Sequence, residues 1–269
     1  MAVTALHSAA TGLSALSTGI DIVANNLANV NTVGFKAIRP NFQDLIYEEK
    51  EQPGVENNNG DIRPAGLYVG LGTRIANTQY DFRKGSPVST GRDLDMMING
   101  TGFFRVNILE EEGDGTGYTR AGNFFRNPEG DMVLGNSDGP RLDPPITIPE
   151  EVIRVEVNTN GKVYGYTGND VAPQELGDIE LSSFVNPNGL KAIGKNIFVE
   201  TAASGPPNMG MPGESPVGTI LAKHLESSNV DPVVELVHLI KTQRAFEMNS
   251  QTIEAADQAL QVIANLRRF

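Results

Sequence analysis

The chain has 269 residues, of which 39% are hydrophobic and 20% charged, a composition typical of a folded protein with two modest domains. It contains no cysteine, which excludes disulfides, thiolate zinc sites and cysteine nucleophiles. The net charge is −12, and most of it lies in residues 36–229, which hold 27 acidic and 17 basic side chains. Because an acidic surface repels phosphate backbones, nucleic acid is not an expected partner.

The N-terminus is the first segment with a clear pattern. Its apolar residues alternate steps of three and four, a heptad pattern typical of a helix that packs along one face. Asn29 and Gly34 follow, and both are residue types that end helices. The pattern therefore predicts one helix from Ala2 to Ala28. The apolar seam consists of Leu6, Ala9, Leu13, Leu16, Ile20, Val23, Leu27 and Val30.

No targeting or membrane segment is evident in the sequence. The N-terminus has no basic segment ahead of an apolar core, and polar residues interrupt every apolar run. We therefore expect neither a cleaved signal peptide nor membrane insertion. The absence of cysteine also suits a protein that is exported unfolded.

The stretch 47–64 is polar, contains two prolines and two glycines, and has no helix or strand period. Taken by itself it predicts a flexible surface loop. Residues 73–216 differ, because short apolar runs alternate there with turn signals, which predicts a central β domain. The expected strands fall within 102–108, 152–157 and 196–200. The expected turns lie at Glu129-Gly130, Asn160-Gly161 and Asn188-Gly189, where Gly and Asn accept positive φ.

Two patterns in this middle region resemble functional sites. The run from Gly135 to Gly139 fits the G-x-S-x-G nucleophile pattern around Ser137, but prolines follow where that motif requires a helix. A turn is the favoured interpretation, and a secreted serine hydrolase is kept as the alternative from another class. The acidic run 110–117 lacks the spacing of a calcium loop, so it predicts a solvated hairpin tip.

The three histidines offer no predicted metal or catalytic site. His7, His224 and His238 lie outside the predicted β region, so no base attends the serine. None of them has the helical ligand spacing of a metal site, apart from acidic neighbours such as Glu235. We predict no catalytic residue, no metal and no cofactor.

A second long helix is predicted at the C-terminus. Asp231 supplies an N-cap and Pro232 the first helical position, and nothing breaks the helix from there to Phe269. Apolar residues recur every seven positions, which predicts a second seam. Its members are Leu239, Phe246, Ile253 and Leu260, flanked by Leu236, Ala256 and Ile263.

The first helix cannot be stable alone. Its seven large apolar side chains would contribute about 10–20 kcal/mol if fully buried. Ordering its backbone costs about 1–2 kcal/mol per residue over some 27 residues, which exceeds that sum. The helix therefore needs a partner. Periodicity leaves two alternatives open: a hairpin of the two ends within one chain, or ends that order when they pack against neighbouring subunits.

Both ends resemble the bacterial flagellar rod and hook family. The N-terminal segment ANNLANVNTVGFK at 24–36 is similar to the family's opening signature, and LIKTQRAFEMN at 239–249 is similar to its closing helix. INGTGFFRV at 98–106 and YTRAGNF at 118–124 resemble motifs of its β domain. Phe246 departs from the Tyr that the family usually has. The signature residues are Asn25, Asn26, Asn29, Gly34, Phe35, Gln243, Arg244 and Asn249.

Length and one insertion point to a member within this family. The chain is too long for a proximal rod subunit and too short for a hook subunit, and 47–64 resembles the extended segment of the distal rod member, especially at Gln52, Pro53 and Gly54. The other mid-length rod protein is the alternative. The resemblance implies that this segment lies against adjacent subunits and stiffens the tube.

The resemblance also implies how the protein works. It would be a structural subunit of the distal rod that self-assembles into a helical tube, encloses the export channel and transmits motor torque to the hook. Its partners would be copies of itself, proximal rod subunits, hook subunits and surrounding ring proteins. It would be exported by the flagellar type III apparatus to the periplasmic part of the basal body.

The expected fold is α+β. Residues 1–35 and 228–269 would form a discontinuous, coiled-coil-like inner domain of long terminal helices. Residues 36–72 and 217–227 would connect it to the central β domain at 73–216.

Overall fold

The structure is a computed structural model that describes residues 2–55, 62–109, 115–168 and 173–266. It is a mixed α+β fold, as predicted, with a helix at each end and a β-rich middle. Helix α1 spans Ala2–Ala28 and helix α2 spans Pro232–Leu266, so both predicted helices are confirmed. The described part contains no helix that is long and apolar enough to cross a membrane.

The chain divides into two compact units. We call residues 1–28, 38–79 and 231–269 the helical unit, and residues 29–37 and 80–230 the β unit. The chain therefore passes from one unit to the other at four points. The predicted three-part division stays a prediction. The observed units differ from it by placing 38–79 with the helices, and 29–35 and 228–230 with the β unit.

The helical unit contains both helices and two small antiparallel sheets. The predicted cap of α2 is confirmed, because Asp231 Oδ1 accepts the amides of Val233 (2.9 Å) and Val234 (3.2 Å). One sheet pairs β1 with β4, and the other pairs β2 with β3. The strands are β1 (Ile38–Asp44), β2 (Tyr47–Glu51), β3 (Leu67–Gly70) and β4 (Thr73–Tyr80).

The stretch 47–64 is a correction to the sequence analysis. It begins with strand β2, which pairs antiparallel with β3 from Tyr47 opposite Gly70 to Glu51 opposite Leu67. The pairing continues past the strand, where Gly54 donates to the Arg63 carbonyl (2.9 Å). The prediction of a loop without strand structure was wrong because alternation is hidden when both faces of a strand carry polar residues. We call residues 47–55 and 62–70 the arm.

The β unit is built around a six-stranded sheet in the order β15-β16-β8-β7-β14-β17 and a three-stranded sheet, β11-β12-β13. Short pairs β9/β10, β6/β18 and β5/β19 complete it. The strands are β5 (Pro87–Ser89), β6 (Met96–Asn99), β7 (Phe103–Asn107), β8 (Thr116–Thr119), β9 (Phe124–Arg126), β10 (Met132–Leu134), β11 (Val152–Val157), β12 (Lys162–Thr167), β13 (Gln174–Asp178), β14 (Leu181–Ser183), β15 (Lys191–Gly194), β16 (Ile197–Val199), β17 (Asn208–Gly210), β18 (Thr219–Ala222) and β19 (His224–Glu226).

Most predictions for the β unit are confirmed. The three expected strands correspond to β7, β11 and β16. The turns at Gly130 and Gly161 have φ of +94° and +88° and join adjacent antiparallel strands. The turn at Asn188-Gly189 is instead a short 3-10 helix. Asn107 pairs with Thr116 across β7 and β8, and most of the predicted hairpin tip, residues 110–114, lies outside the described residues.

Two buried clusters hold the β unit together. The larger packs aliphatic residues with Phe104 and Phe124, whose rings meet edge to face at 5.4 Å. The smaller is aromatic, with Phe103, Phe184 and Phe198 as members. Edge-to-face ring pairs are favourable beyond the area that they bury. The protein therefore has a substantial core in this unit that does not depend on the terminal helices.

Candidate assembly site

The buried face of α1 is made of small residues. Ala9, Gly12, Ala15, Gly19 and Val23 are buried, at spacings of three and four that keep them on one side of the helix. The larger predicted seam residues are only half-buried: Leu6, Leu13, Leu16, Ile20 and Leu27. The face buried within the chain therefore includes Ala9 and Val23 of the predicted seam, and the larger seam residues lie beside it. Their packing against other subunits stays a prediction. The missed signal was the run of Ala and Gly at helical spacing, which allows a neighbouring helix to approach closely.

Helices α1 and α2 contact each other within the chain. A Cβ at Gly12 would stand 3.4 Å from the Asn249 amide nitrogen, and one at Gly19 would stand 3.7 Å from Thr242. Asn26 Nδ2 donates to Glu235 Oε1 at 3.3 Å. These three contacts are seven residues apart on each helix, and they run in opposite directions along α1 and α2, so the two helices are antiparallel. The structure contains the intramolecular pairing, one of the two alternatives that periodicity left open.

This pairing covers α2 poorly. No residue of α2 with a described side chain, from Pro232 to Asn265, is buried. The predicted seam residues Leu239, Phe246, Ile253 and Leu260 are half-buried, whereas Ile263 is 59% exposed. Other large apolar residues also face outward, from Val233 (70% exposed) onward. A helix this long with no buried residue presents an apolar surface that needs a cover.

Asn26 explains why the N-terminal signature contains an asparagine at this position. Its side chain is 1% exposed, donates to the Ile38 carbonyl (2.7 Å) and accepts the Ile38 amide (2.9 Å). With its third bond to Glu235, it links α1, β1 and α2 in the helical unit. Burial raises the pKa of the Glu235 carboxyl, and the nearby His238 and the Asn26 hydrogen bond oppose that shift.

The other N-terminal signature residues shape the loop that follows α1. The Thr32 hydroxyl donates to the Asn29 side chain (3.0 Å), and the Phe35 amide donates to the Thr32 carbonyl (3.3 Å). Gly34 has φ of +69°, and its amide donates to the Glu226 carbonyl (2.8 Å). A Cβ there would stand 2.7 Å from the Ala121 amide nitrogen. The position therefore requires glycine on two counts.

Lys36, directly after this loop, is buried in the β unit. Its ammonium donates to Glu226 Oε1 (2.7 Å) and to the Arg83 carbonyl (2.8 Å), and both charged side chains are 0% exposed. Arg120, also buried, lies 3.6 Å from Glu226 Oε2. Burial lowers the pKa of Lys36, and its attraction to Glu226 only partly offsets that effect. The motif analysis quoted Lys36 but missed this role, because Glu226 lies 190 residues away.

The remaining signature residues lie on helix surfaces. Asn25, Gln243 and Arg244 are exposed, and Arg244 pairs with Glu247 at 2.9 Å. Asn249 is half-buried against Gly12.

The arm exposes side chains on both of its faces. Tyr47 and Tyr68 are each about half exposed, and no residue of β2 is buried. Gln52, Pro53 and Gly54 form the turn that follows β2 and are all exposed. A two-stranded hairpin is marginally stable in water unless another surface covers it. The arm is therefore a second surface that lacks a cover in the helical unit.

Comparison with known proteins gives these surfaces a context. Three family models match: "Flagella basal body rod protein" over residues 6–36, "Flagellar hook protein FlgE/F/G D1 domain" over 97–165 and "Flagellar basal body rod FlgEFG protein C-terminal" over 221–266. A flagellar basal-body rod protein FlgG from Caulobacter vibrioides is 42% identical and covers 98% of this chain and 99% of the relative. The chain belongs to the family of flagellar basal-body rod proteins.

Two further relatives share the same description. Proteins named FlgG from Borreliella burgdorferi and Agrobacterium fabrum are 42% and 38% identical, over 98% and 97% of this chain and 98% of each relative. The predicted family and the distal rod subunit are confirmed, in preference to the other mid-length rod protein. Membership places the chain in the flagellar basal body, among other rod and hook components.

Rod proteins of this family are structural proteins rather than enzymes, and the surroundings of Ser137 agree. The Ser137 hydroxyl donates to Asp138 (3.1 Å) inside a turn where Asn136 accepts the Gly139 amide (2.8 Å). Asp138 also pairs with Lys195, whose hydrogen bond lowers the pKa of that carboxyl. A carboxylate held in this way is a poor base. The hydrogen bonds within residues 136–139 confirm the predicted turn.

The histidines do not converge on a site in the helical unit. By the register of the helix pair, His238 faces the level of Val23, which is 16 residues or about 24 Å along α1 from His7. Among the described residues, no three His, Asp or Glu side chains are grouped closely enough to hold a metal ion.

Proposed function

We propose that copies of this chain polymerise into a helical tube whose inner wall consists of the terminal helices and whose outer layer consists of the β units. The tube encloses the export channel and transmits motor torque to the hook. Proximal rod subunits lie below it, hook subunits above it and ring proteins around it. The chain reaches this periplasmic position through the flagellar type III apparatus.

The uncovered surface of α2 carries this proposal. Full burial of one such side chain is worth about 1.5–3 kcal/mol. The exposed residues retain about half of their area, so covering eight of them would contribute on the order of 8 kcal/mol per subunit before association costs. They are Val233, Val234, Leu236, Val237, Ile240, Met248, Val262 and Ile263.

The inner domain is coiled-coil-like in this proposal. The step of seven that relates α1 to α2 is the spacing that coiled coils use. The small residues of α1 allow α2 to pack closely against it. The half-buried leucines beside them remain available for contacts with helices of other copies. Head-to-tail contacts of this kind propagate as a helix when they do not close into a ring.

The test uses two outward residues of α2. Val237→Ser with Ile240→Ser should leave the helix content and thermal unfolding of the purified chain nearly unchanged, because both side chains are about half exposed. Cells that carry this variant should build no distal rod or hook. The matched control at the same positions, Val237→Ile with Ile240→Val, keeps both side chains apolar and should assemble. Normal rods in the first variant would refute the proposed packing.

The arm stiffens the tube in this proposal by lying against adjacent subunits. Its exposed Tyr47 and Tyr68 and its lack of a cover support that role. A tube bends when neighbouring subunits slide past one another. An arm that contacts the adjacent subunit would resist this sliding.

Removal of the arm tests this role. Residues 47–70 lie between β1, which ends at Asp44, and β4, which begins at Thr73, so a short Gly-Ser linker can replace them. The polymer should become curved or flexible in electron micrographs. As a matched pair, Tyr47→Ser with Tyr68→Ser should have a similar, weaker effect, whereas Ile153→Ser with Val185→Ser should not. An unaltered straight rod would contradict the proposal.

A further inference from the structure

Three segments of the β unit lie next to the points where the chain passes to the helical unit. We call 29–37, 80–85 and 226–230 the crossing segments. The chain passes between the units after residues 28, 37, 79 and 230, so all four covalent connections are immediately adjacent to these segments. Force carried along the backbone between the units must therefore pass through them.

Hydrogen bonds tie the crossing segments to one another. Asn229 accepts the Ala37 amide at its side-chain oxygen (2.8 Å) and donates from its side-chain nitrogen to the Asp81 carbonyl (2.6 Å). The Asp81 amide donates to the Ala37 carbonyl (2.8 Å). One asparagine side chain thus bonds to both other segments, which also bond to each other.

A buried ion pair joins the same three segments a second time. Lys36, on the first, donates to the Arg83 carbonyl on the second and to Glu226 on the third. Glu226 Oε1 also accepts the amide of Gly85 (2.8 Å). Gly85 packs closely against the third segment, because a Cβ at this position would stand 1.9 Å from the Ser227 carbonyl oxygen.

Stability alone does not account for a pair of this kind. Removing two charges from water is costly, and apolar replacements of buried ion pairs are often neutral or stabilising. A lysine that reaches a carboxylate and a carbonyl on different segments nevertheless fixes their spacing, which an apolar side chain cannot do.

We propose that Lys36, Asn229 and Glu226 form a mechanical joint that holds the crossing segments at fixed spacing while the rod turns. The joint rests on the proposed function of torque transmission. Its residues are positioning residues: they keep the segments together under load and take no part in contacts between subunits.

The test compares variants in which the β unit stays folded. Lys36→Met removes one side of the joint. Lys36→Met with Asn229→Ala, the double variant, removes both ties between the segments and leaves Glu226 paired with Arg120 (3.6 Å). Lys36→Met alone serves where the double variant fails to fold. The matched control is Arg105→Met, which removes a partly buried cation of the same unit that pairs with Glu180 (3.2 Å), away from the crossing segments.

Hydrogen exchange on the purified full chain gives the first measurement. We expect the amides of Ala37, Asp81 and Gly85 to exchange at least 10-fold faster in the joint variants, and the rest of the β unit to keep its rates. The exchange rates of these three amides should be unchanged in Arg105→Met. Unchanged exchange at these three amides in the double variant would overturn the joint, whatever the assembly state of the protein.

Shear of isolated basal bodies gives the second measurement. We expect the fraction of rods that break to rise several-fold in the double variant relative to wild type, at equal rod number, while Arg105→Met breaks as wild type does. Equal breakage in the double variant and wild type would overturn the joint. Absence of this chain from wild-type rods would instead overturn the proposed function. The hydrogen-exchange result would still show whether Lys36, Asn229 and Glu226 hold the crossing segments together.

Discussion

Replacement of Gly34 by alanine should destabilise the β unit more than its loop position suggests. A side chain at φ of +69° costs about 1–2 kcal/mol. The added Cβ would also stand 2.7 Å from the Ala121 amide nitrogen and 2.9 Å from the Arg120 carbonyl oxygen, which are backbone atoms that cannot rotate away. Displacing them should cost about 1–3 kcal/mol more, as overpacking does. The free energy of unfolding should therefore fall by about 2–5 kcal/mol.

Gly91→Ala is the matched control. Gly91 has nearly the same φ, +72°, but a Cβ there would meet nothing within 4 Å. It should lose only the conformational part, about 1–2 kcal/mol. Urea titration followed by near-ultraviolet circular dichroism suits this comparison, because most of the tyrosines lie in the β unit. Equal losses in the two variants would refute the claim that close backbone packing fixes Gly34.

Two predictions concern the helical unit. Ala15→Leu should lower its stability by about 1–3 kcal/mol through overpacking, whereas Ala10→Leu on the exposed side should change it by less than about 0.5 kcal/mol. The measurement is thermal unfolding followed by circular dichroism at 222 nm. Equal changes in the melting temperature of the two variants would contradict close packing of α2 against the small residues of α1. Glu235→Gln should stabilise at neutral pH, because the raised pKa means that folding disfavours the carboxylate. This advantage should vanish as the pH falls through the folded pKa and Glu235 takes up a proton.

The sequence predicted the helices well because their signals are local. The Asp231 cap, the following proline and the heptad spacing all lie within a few turns of one another, and α1 and α2 begin and end close to the expected residues. The small residues Gly12, Ala15 and Gly19 on the buried face of α1 were not predicted, for a physical reason. Hydrophobicity alone ranks Leu13 above Gly12, but the depth of a helix contact depends on how small the facing residues are.

The arm and the joint could not be predicted from local patterns. Strand β2 reads as loop because it is exposed on both faces, and its partner β3 begins 16 residues after β2 ends. Lys36 gave even less indication, since a lysine in a polar motif is normally solvated and its partner is near the opposite end of the chain. In both places the structure depends on long-range pairing, which a single sequence does not display.

The uncovered surface of α2 has a consequence for subunits that never reach the rod. The apolar side chains of α2 stay in water in a lone copy, so we expect its ends to open readily and to be accessible to proteases. In the proposed assembly, neighbouring subunits would protect the same residues. Degradation would therefore remove surplus subunits selectively and spare finished rods. The same surface of α2 would then control both the assembly of the rod and the proteolysis of unassembled subunits.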